Sequence, residues 1–486
     1  MLTGILHDNE VAMKKKMKHL LLLVLILCLA FLTYVLIGAI APFTVQPEVS
    51  AATQAAFHAG DYYGHGTGPD RARVVDDNQE ALELRLQMIF HARKRVVLST
   101  FDFRDDEAGL DMLAALLDAA DRGVEVEIFA DGFNSVVQME GNAFFYALSS
   151  HPNAKILIYN QINPLTPWNL MGRMHDKYLI VDDTAYILGG RNTFGYFLGS
   201  YEGHKNHDRD VLVYNTGSRD SSLYQLRAYY EQITAQDCCS LFHDSPSLSE
   251  KKSVQAAAQT LRDRFQTLTE AYPEQHSAPY DYPANTAATQ LVTLISNPID
   301  TGPKEPVAFY QLMELCKGAR EQVVIHTPYV IANDWMTQSF SEIGGKGIML
   351  FNSTANNGNP FAAVDYQNHK EELIATGLEL HEYEGGVSYH GKSITVDDDL
   401  AIIGSFNMDM RSTYIDTELM LVVHSEAVTR QLQDSMDRYD QDAAVVDTVD
   451  RYRSTPGGRE MAERPAGQKR FQFWLGWALE LGRFLL

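Results

Sequence analysis

Cysteine is scarce in this chain. Its four thiols, Cys28, Cys238, Cys239 and Cys316, offer neither a disulfide framework nor a Cys/His spacing suited to zinc. No metal and no cofactor are expected. Positive charge is in short supply as well: 40 Lys and Arg stand against 63 Asp and Glu, a formal charge of −23. A surface of that sign repels a polyanion at long range, which removes nucleic acid as the default partner. Hydrophobic content of 45% and charged content of 21% are ordinary for a globular chain with one large core or two medium ones.

Residues 20–41 carry no charged side chain. At ~1.5 Å per residue a helix of this length reaches about 33 Å, enough for a hydrocarbon core of roughly 30 Å. Lys14, Lys15, Lys16 and Lys18 precede the run, placing the N-terminus in the cytoplasm and the rest outside. A cleaved signal peptide is the competing reading. Its apolar stretch is usually only about 7–15 residues long, and Pro42 disfavours cleavage after Ala41. The expected layout is a basic cytoplasmic segment (1–19), a single-pass anchor (20–41), a linker (42–79), a first α/β half (80–215), a helical connector (216–287), a second half (288–450) and a tail (451–486). The tail packs two Trp, three Phe and five Leu into residues 471–486. It reads either as a docked helix or as one lying in the membrane interface, with Trp474 and Trp477 at headgroup depth and Lys469, Arg470 and Arg483 near lipid phosphates.

Each half opens on a β-α-β pattern. KRVVLSTFDF is strand-like; LDMLAALLDAADRGV sets Leu110, Leu113, Ala114 and Leu117 on one helical face and ends at Gly123; EVEIFAD alternates like a strand. EQVVIHTPYV, a helix over 334–343 and KGIMLFNS repeat the scheme. A parallel pair with a right-handed crossover is expected in each.

Each half also closes on the same pattern, His-x-Lys-x-x-x-x-Asp. His175, Lys177 and Asp182 form the first copy; His390, Lys392 and Asp397 form the second. The register continues past the motif, with Gly189 and Gly404 at +14 and Asn192 and Asn407 at +17 from each histidine. A single HxK pair is usually an exposed polar pair on a strand. Two in-register copies point instead to one active site built from both halves, with each His and Lys on a shared strand face.

That residue set suits phosphodiester chemistry without a metal. A neutral imidazole attacks phosphorus, a protonated one supplies a proton to the departing alkoxide, and Lys177, Lys392, Asn192 and Asn407 surround the phosphoryl oxygens. His204, His207 and His381 read as ordinary loop histidines.

These residues resemble the phospholipase D superfamily over about residues 80–440. The second copy is especially similar to bacterial cardiolipin synthases, through a Gly-Ser-x-Asn-x-Asp-x-Arg-Ser segment filled by Gly404, Ser405, Asn407, Asp409, Arg411 and Ser412. The first copy departs, with GGRNTFGYFLGSY in that place. The resemblance implies two phospholipase D-like α/β halves related by a pseudo-two-fold axis, with the site at their interface. It implies His175 as the phosphohistidine and His390 as the acid and then base. It also implies an acidic residue downstream of each motif to orient its histidine. Aligning DRDVLV with DTELML gives Asp210 and Glu418 for that task, with a longer loop in the first half. Asp182 and Asp397 are expected to pin the turn behind the site, with Gly189, Gly404 and Ser405 as structural parts of the motif. The expected function is a membrane-anchored phosphatidyltransferase making cardiolipin from a phospholipid substrate. Hydrolysis to phosphatidic acid uses the same residues and is the alternative; a nuclease or phosphodiesterase of the same superfamily is the third reading.

Overall fold

The computed structural model describes residues 2–458, 460–462, 476, 480 and 482–486. Among them, two nine-stranded sheets stack face to face, each covered by helices on its outer side. Eight strands run in the same order in both. In the first sheet that order is Asp70–Val75, Asp210–Asn215, Ala185–Gly189, Tyr178–Val181, Arg95–Thr100, Glu125–Asp131, Ala154–Tyr159 and Cys239–Leu241. Their counterparts in the second are Leu291–Ser296, Leu419–His424, Leu400–Gly404, Ser393–Val396, Val323–His326, Gly347–Asn352, Glu379–Tyr383 and Ala443–Thr448. The chain thus consists of two similar α/β halves.

The β-α-β units form as their patterns require. Arg95–Thr100 pairs in parallel with Glu125–Asp131, and Val323–His326 with Gly347–Asn352. The helix between the first pair, Glu107–Asp121, starts where the Asp106 carboxylate accepts from Gly109 N at 3.0 Å. It ends before Gly123, whose φ of 92° only a glycine adopts at little cost. Its Ala-rich sequence lets it pack on both sides, with Leu113 and Leu117 buried and the helix Lys252–Ala271 laid across its other face. That second helix lies in the segment read as a connector, so much of 216–287 belongs to the first half's wall. The strand Asp70–Val75 likewise lies in the stretch expected to be linker, and its counterpart opens the second half.

Alternation along the strands sorts the core into three layers. Leu179, Val181 and Ile187 face the outer helices of the first half, and Ile394, Val396 and Ile402 face those of the second. Ile180, Leu188, Val211, Ile403, Leu419 and Leu421 meet between the sheets. This middle layer fixes the two motifs against each other, because the motif hairpins contribute Ile180 and Leu188 from the first half and Ile403 from the second.

The N-terminal helix, Leu2–Ile40, runs on as the tight turn Ala41–Thr44. Its apolar side chains from Leu20 to Leu32 have no core to cover them. Near its end Tyr34 Oη donates to Leu165 O at 2.9 Å, and Gly38 lies against Pro167. Of the apolar tail, Lys469, Arg470, Trp474 and Trp477 lie outside the described residues. Arg483 does not point to lipid phosphate: it pairs with Asp365 at 2.6 Å and donates to Ala332 O. Phe484, Leu485 and Leu486 pack on the second half.

Candidate active site

The two motif turns are built alike. Asp182 and Asp397 both adopt positive φ, 53° and 50°. Each carboxylate collects three consecutive backbone N–H groups: Arg93, Lys94 and Arg95 for Asp182, and Arg320, Glu321 and Gln322 for Asp397. The three donors hold Asp397 below the usual carboxylate range despite its partial burial. Gly189 and Gly404 lie where a Cβ would strike the neighbouring strand, 2.5 Å from Arg209 O and 2.0 Å from Leu419 O respectively.

Each motif histidine is gripped by the opposite half. His175 N donates to Thr417 O (3.3 Å), and its Nδ1 donates to Glu418 Oε1 (2.8 Å). His390 N donates to His207 O (2.6 Å), and its Nδ1 donates to Asp208 Oδ2 (2.6 Å). Donation from Nδ1 leaves Nε2 as the lone-pair nitrogen of each neutral ring. Aromatic edges fix the rings further, Phe101 on His175 and Phe197 on His390, with centroids 5.1 and 5.0 Å apart.

This corrects the expectation for Asp210. The carboxylate on a histidine in the first half is Asp208, and the pairing crosses between halves, so Glu418 serves His175. Strand register gives the reason. Gly189 faces Asp210 across its ladder, and Gly404 faces Met420. Asp208 is therefore the structural partner of Glu418, two residues from where the DRD and DTE letters align. Asp210 instead neutralises the buried Arg85 and Arg191 at 2.8 and 3.1 Å. Arg191 in turn donates to the carbonyl of Asp208 at 2.5 Å. The one sequence signal for Asp208 was Gly190, where a Cβ would fall 2.2 Å from Asp208 Oδ1. The second half puts Ser405 at the matching position and bonds it to Glu418.

The Gly-Ser-x-Asn-x-Asp-x-Arg-Ser segment builds the Glu418 cradle. Asp409 caps the short helix Met410–Tyr414 by accepting from Ser412 N. Ser412 Oγ then donates to Glu418 Oε1 at 2.6 Å. Arg411 holds Asp416 (2.9 Å) and reaches Met171 O (2.7 Å) in the other half. A second strut crosses the interface from Arg209, which is fully buried and bonds Tyr389 Oη, Ser393 Oγ and Ser435 Oγ.

Lys177 and Lys392 are buried beside their histidines. Lys177 Nζ donates to His175 O at 2.5 Å, and Lys392 Nζ lies 3.1 Å from His390 Nε2. Burial lowers both ammonium pKa values, to about 7 for Lys177 and about 8 for Lys392. Asn192 Oδ1 accepts from Asp102 N at 3.3 Å. Asn407 Nδ2 donates to Tyr329 Oη, while its buried Oδ1 has no partner among the described residues. Burial and the lysines hold His175 well below its ordinary value and bring His390 to about 4. The carboxylates differ more. Burial raises Glu418 to about 8, whereas Lys392, His390 and Arg191 outweigh the burial of Asp208 and keep it at about 2.

Two α/β halves presenting paired His-Lys motifs, each histidine held by the other half's carboxylate, define a phospholipase D-type site. The profile of the family described as "Cardiolipin synthase, PLD-like domain" matches residues 86–233 and 312–439. The chain belongs to that family. Among its relatives, cardiolipin synthase C of Escherichia coli strain K12 is 23% identical over 78% of this chain and 86% of its own length. An uncharacterized protein of Helicobacter pylori strain 26695 is 25% identical over 75% of this chain and 78% of its own. A solved structure of phosphatidylserine synthase from Haemophilus influenzae Rd KW20 superposes with a TM-score of 0.60. It is 15% identical, covering 85% of this chain and 95% of that one, and shares the fold.

Proposed function

We propose that the chain is a membrane-anchored phosphatidyltransferase that makes cardiolipin from two molecules of phosphatidylglycerol. The observation that carries the chemistry is the crossed pairing of His175 with Glu418 and His390 with Asp208, each beside a buried lysine. Nε2 of His175 attacks the donor phosphorus, and the P–O bond to glycerol breaks. A proton from His390 passes to the departing oxygen, releasing free glycerol and leaving a phosphatidyl group on His175. Neutral His390 then takes the proton of a hydroxyl on the second phosphatidylglycerol. That oxygen attacks phosphorus, the P–N bond breaks, and cardiolipin leaves with both histidines restored.

The carboxylates support this division of labour. Ionised Asp208 raises the proton affinity of His390 against the burial and lysine charge that bring it to about 4, the direction an acid requires. Glu418, held up at about 8, does so less for His175, as a nucleophile requires. Lys177, Lys392, Asn192 and Asn407 stabilise the equatorial phosphoryl oxygens. Residues 20–41 serve as the anchor, with the catalytic halves outside the cytoplasm.

Lipids extracted from cells expressing the wild type and His175→Ala test the reading. Cardiolipin should rise only with the wild type, and the activity should survive EDTA. A rise in phosphatidic acid instead would select the hydrolase; no change in either lipid would return the nuclease or phosphodiesterase reading.

A further inference from the structure

We propose that the loop over residues 160–172 is a membrane-dipping element, seated on the anchor and inserted into the outer leaflet at the mouth of the His175 site. This rests on reading residues 20–41 as a transmembrane anchor.

The loop carries no charged side chain, in NQINPLTPWNLMG, within a chain of net charge −23. It exposes large apolar groups: Leu165 is 68% and Trp168 47% exposed. The neighbouring connection, which follows strand Glu125–Asp131 as two short helical turns, is also uncharged from Gly132 to Met139 and exposes Phe133, Val136 and Val137. The two loops touch where Gly132 packs on Asn160 O, as expected for loops leaving adjacent parallel strands. Single exposed apolar residues are common on soluble surfaces, but five on two touching loops form a patch.

What covers the patch follows from its contact with the helix. Tyr34 Oη bonds Leu165 O, and Gly38 meets Pro167. Tyr34 and Gly38 precede the end of the uncharged run at Ala41 by about 10 Å and 5 Å at the α-helical rise. A loop docked at that level enters to the depth typical of an interfacial element, about 5–10 Å, where tryptophan is favoured. The base of the loop is tied to the site. Asn160 Nδ2 donates to Asn169 O and Gly172 O (2.6 and 2.7 Å), Arg173 donates to Asn160 O (3.0 Å), and Met174 N donates to Asp131 Oδ2 (3.1 Å). His175 follows directly. Insertion of the loop therefore sets the height of the nucleophile above the phosphate plane, against the repulsion of an acidic body by anionic lipid.

The full chain is reconstituted into vesicles containing lipids brominated at shallow or deep acyl positions, and tryptophan quenching is compared between wild type and Trp168→Phe. The difference isolates Trp168, and shallow bromines should quench it most. Leu165→Asp/Trp168→Asp should lower turnover of bilayer lipid about tenfold while leaving a short-chain monomeric substrate and the melting temperature unchanged. Protein that resists alkaline extraction but shows no Trp168 quenching overturns the loop's role and leaves the anchor standing. Protein that washes off overturns the anchor reading and this inference with it. Equal loss on both substrates with a lowered melting temperature also overturns it, by showing a structural loop.

Discussion

The two halves share their strand order, their motif spacing and their turn chemistry, yet they differ in charge where it matters. In the first half Gly190 makes room for Asp208, and Arg191, Arg85 and Asp210 form a buried charge network beneath it. In the second half Ser405 and Ser412 donate to Glu418, and no arginine bonds that carboxylate among the described residues. Hydroxyl donors hold a carboxylate in place without supplying a full charge, whereas arginine, lysine and histidine hold Asp208 firmly ionised. On the proposed mechanism, a duplicated fold gives two identical imidazoles unequal tasks through what surrounds their partners.

The largest effects should come from the histidines themselves. His175→Ala and His390→Ala should each reduce kcat on phospholipid by ~10²–10⁴-fold. An activated p-nitrophenyl phosphodiester separates them, because its leaving group needs no proton. His390→Ala should regain much of its first-step burst on this substrate, and His175→Ala should regain none. Equal rescue would erase the proposed division.

Next come the carboxylates, read through pH. Lys177 and Lys392 lose their protons as pH rises through about 7 and about 8, so kcat/KM should fall across that range. Asp208→Asn removes an anion that favours the Lys392 ammonium, lowers that lysine's pKa and should move the falling limb to lower pH. Glu418→Gln should move the limb less than Asp208→Asn, because burial holds that carboxyl at about 8 and it carries only part of a charge over the same range. Matching shifts in the two variants would contradict the electrical asymmetry.

Asp210 should matter for stability rather than for the pH profile. Asp210→Asn strips the counter-charge from Arg85 and Arg191, at a cost of about 3–5 kcal/mol visible as a lowered melting temperature. The alkaline limb of the folded fraction should stay in place. A shifted limb with normal stability would return Asp210 to direct contact with a histidine.

Most of the candidate site could be read along the chain because its parts recur at fixed offsets. His175, Lys177, Asn192, His390, Lys392 and Asn407 announce themselves by register. The orienting carboxylate did not, because DRD and DTE align as letters while the ladders place Asp208 opposite Glu418's role, two residues earlier. Crossing between halves is also invisible locally: Glu418 lies 243 positions from His175. The strand Asp70–Val75 was hidden for a different reason. Arg71 and Arg73 make it look like solvent-facing linker, but Arg71 is held by Thr286 and Arg73 by Tyr280, both from the distant connector. Arg483 looked free to meet lipid since its partner Asp365 is 118 positions away.

The central claim is that His175 alone carries the phosphoryl group. Wild type and His390→Ala are mixed briefly with the activated donor, quenched in alkali to preserve phosphohistidine, digested, and mapped by mass spectrometry. The adduct should sit on His175 in both and accumulate in His390→Ala. An adduct on His390 in the wild type, or one that persists in His175→Ala, would contradict the account.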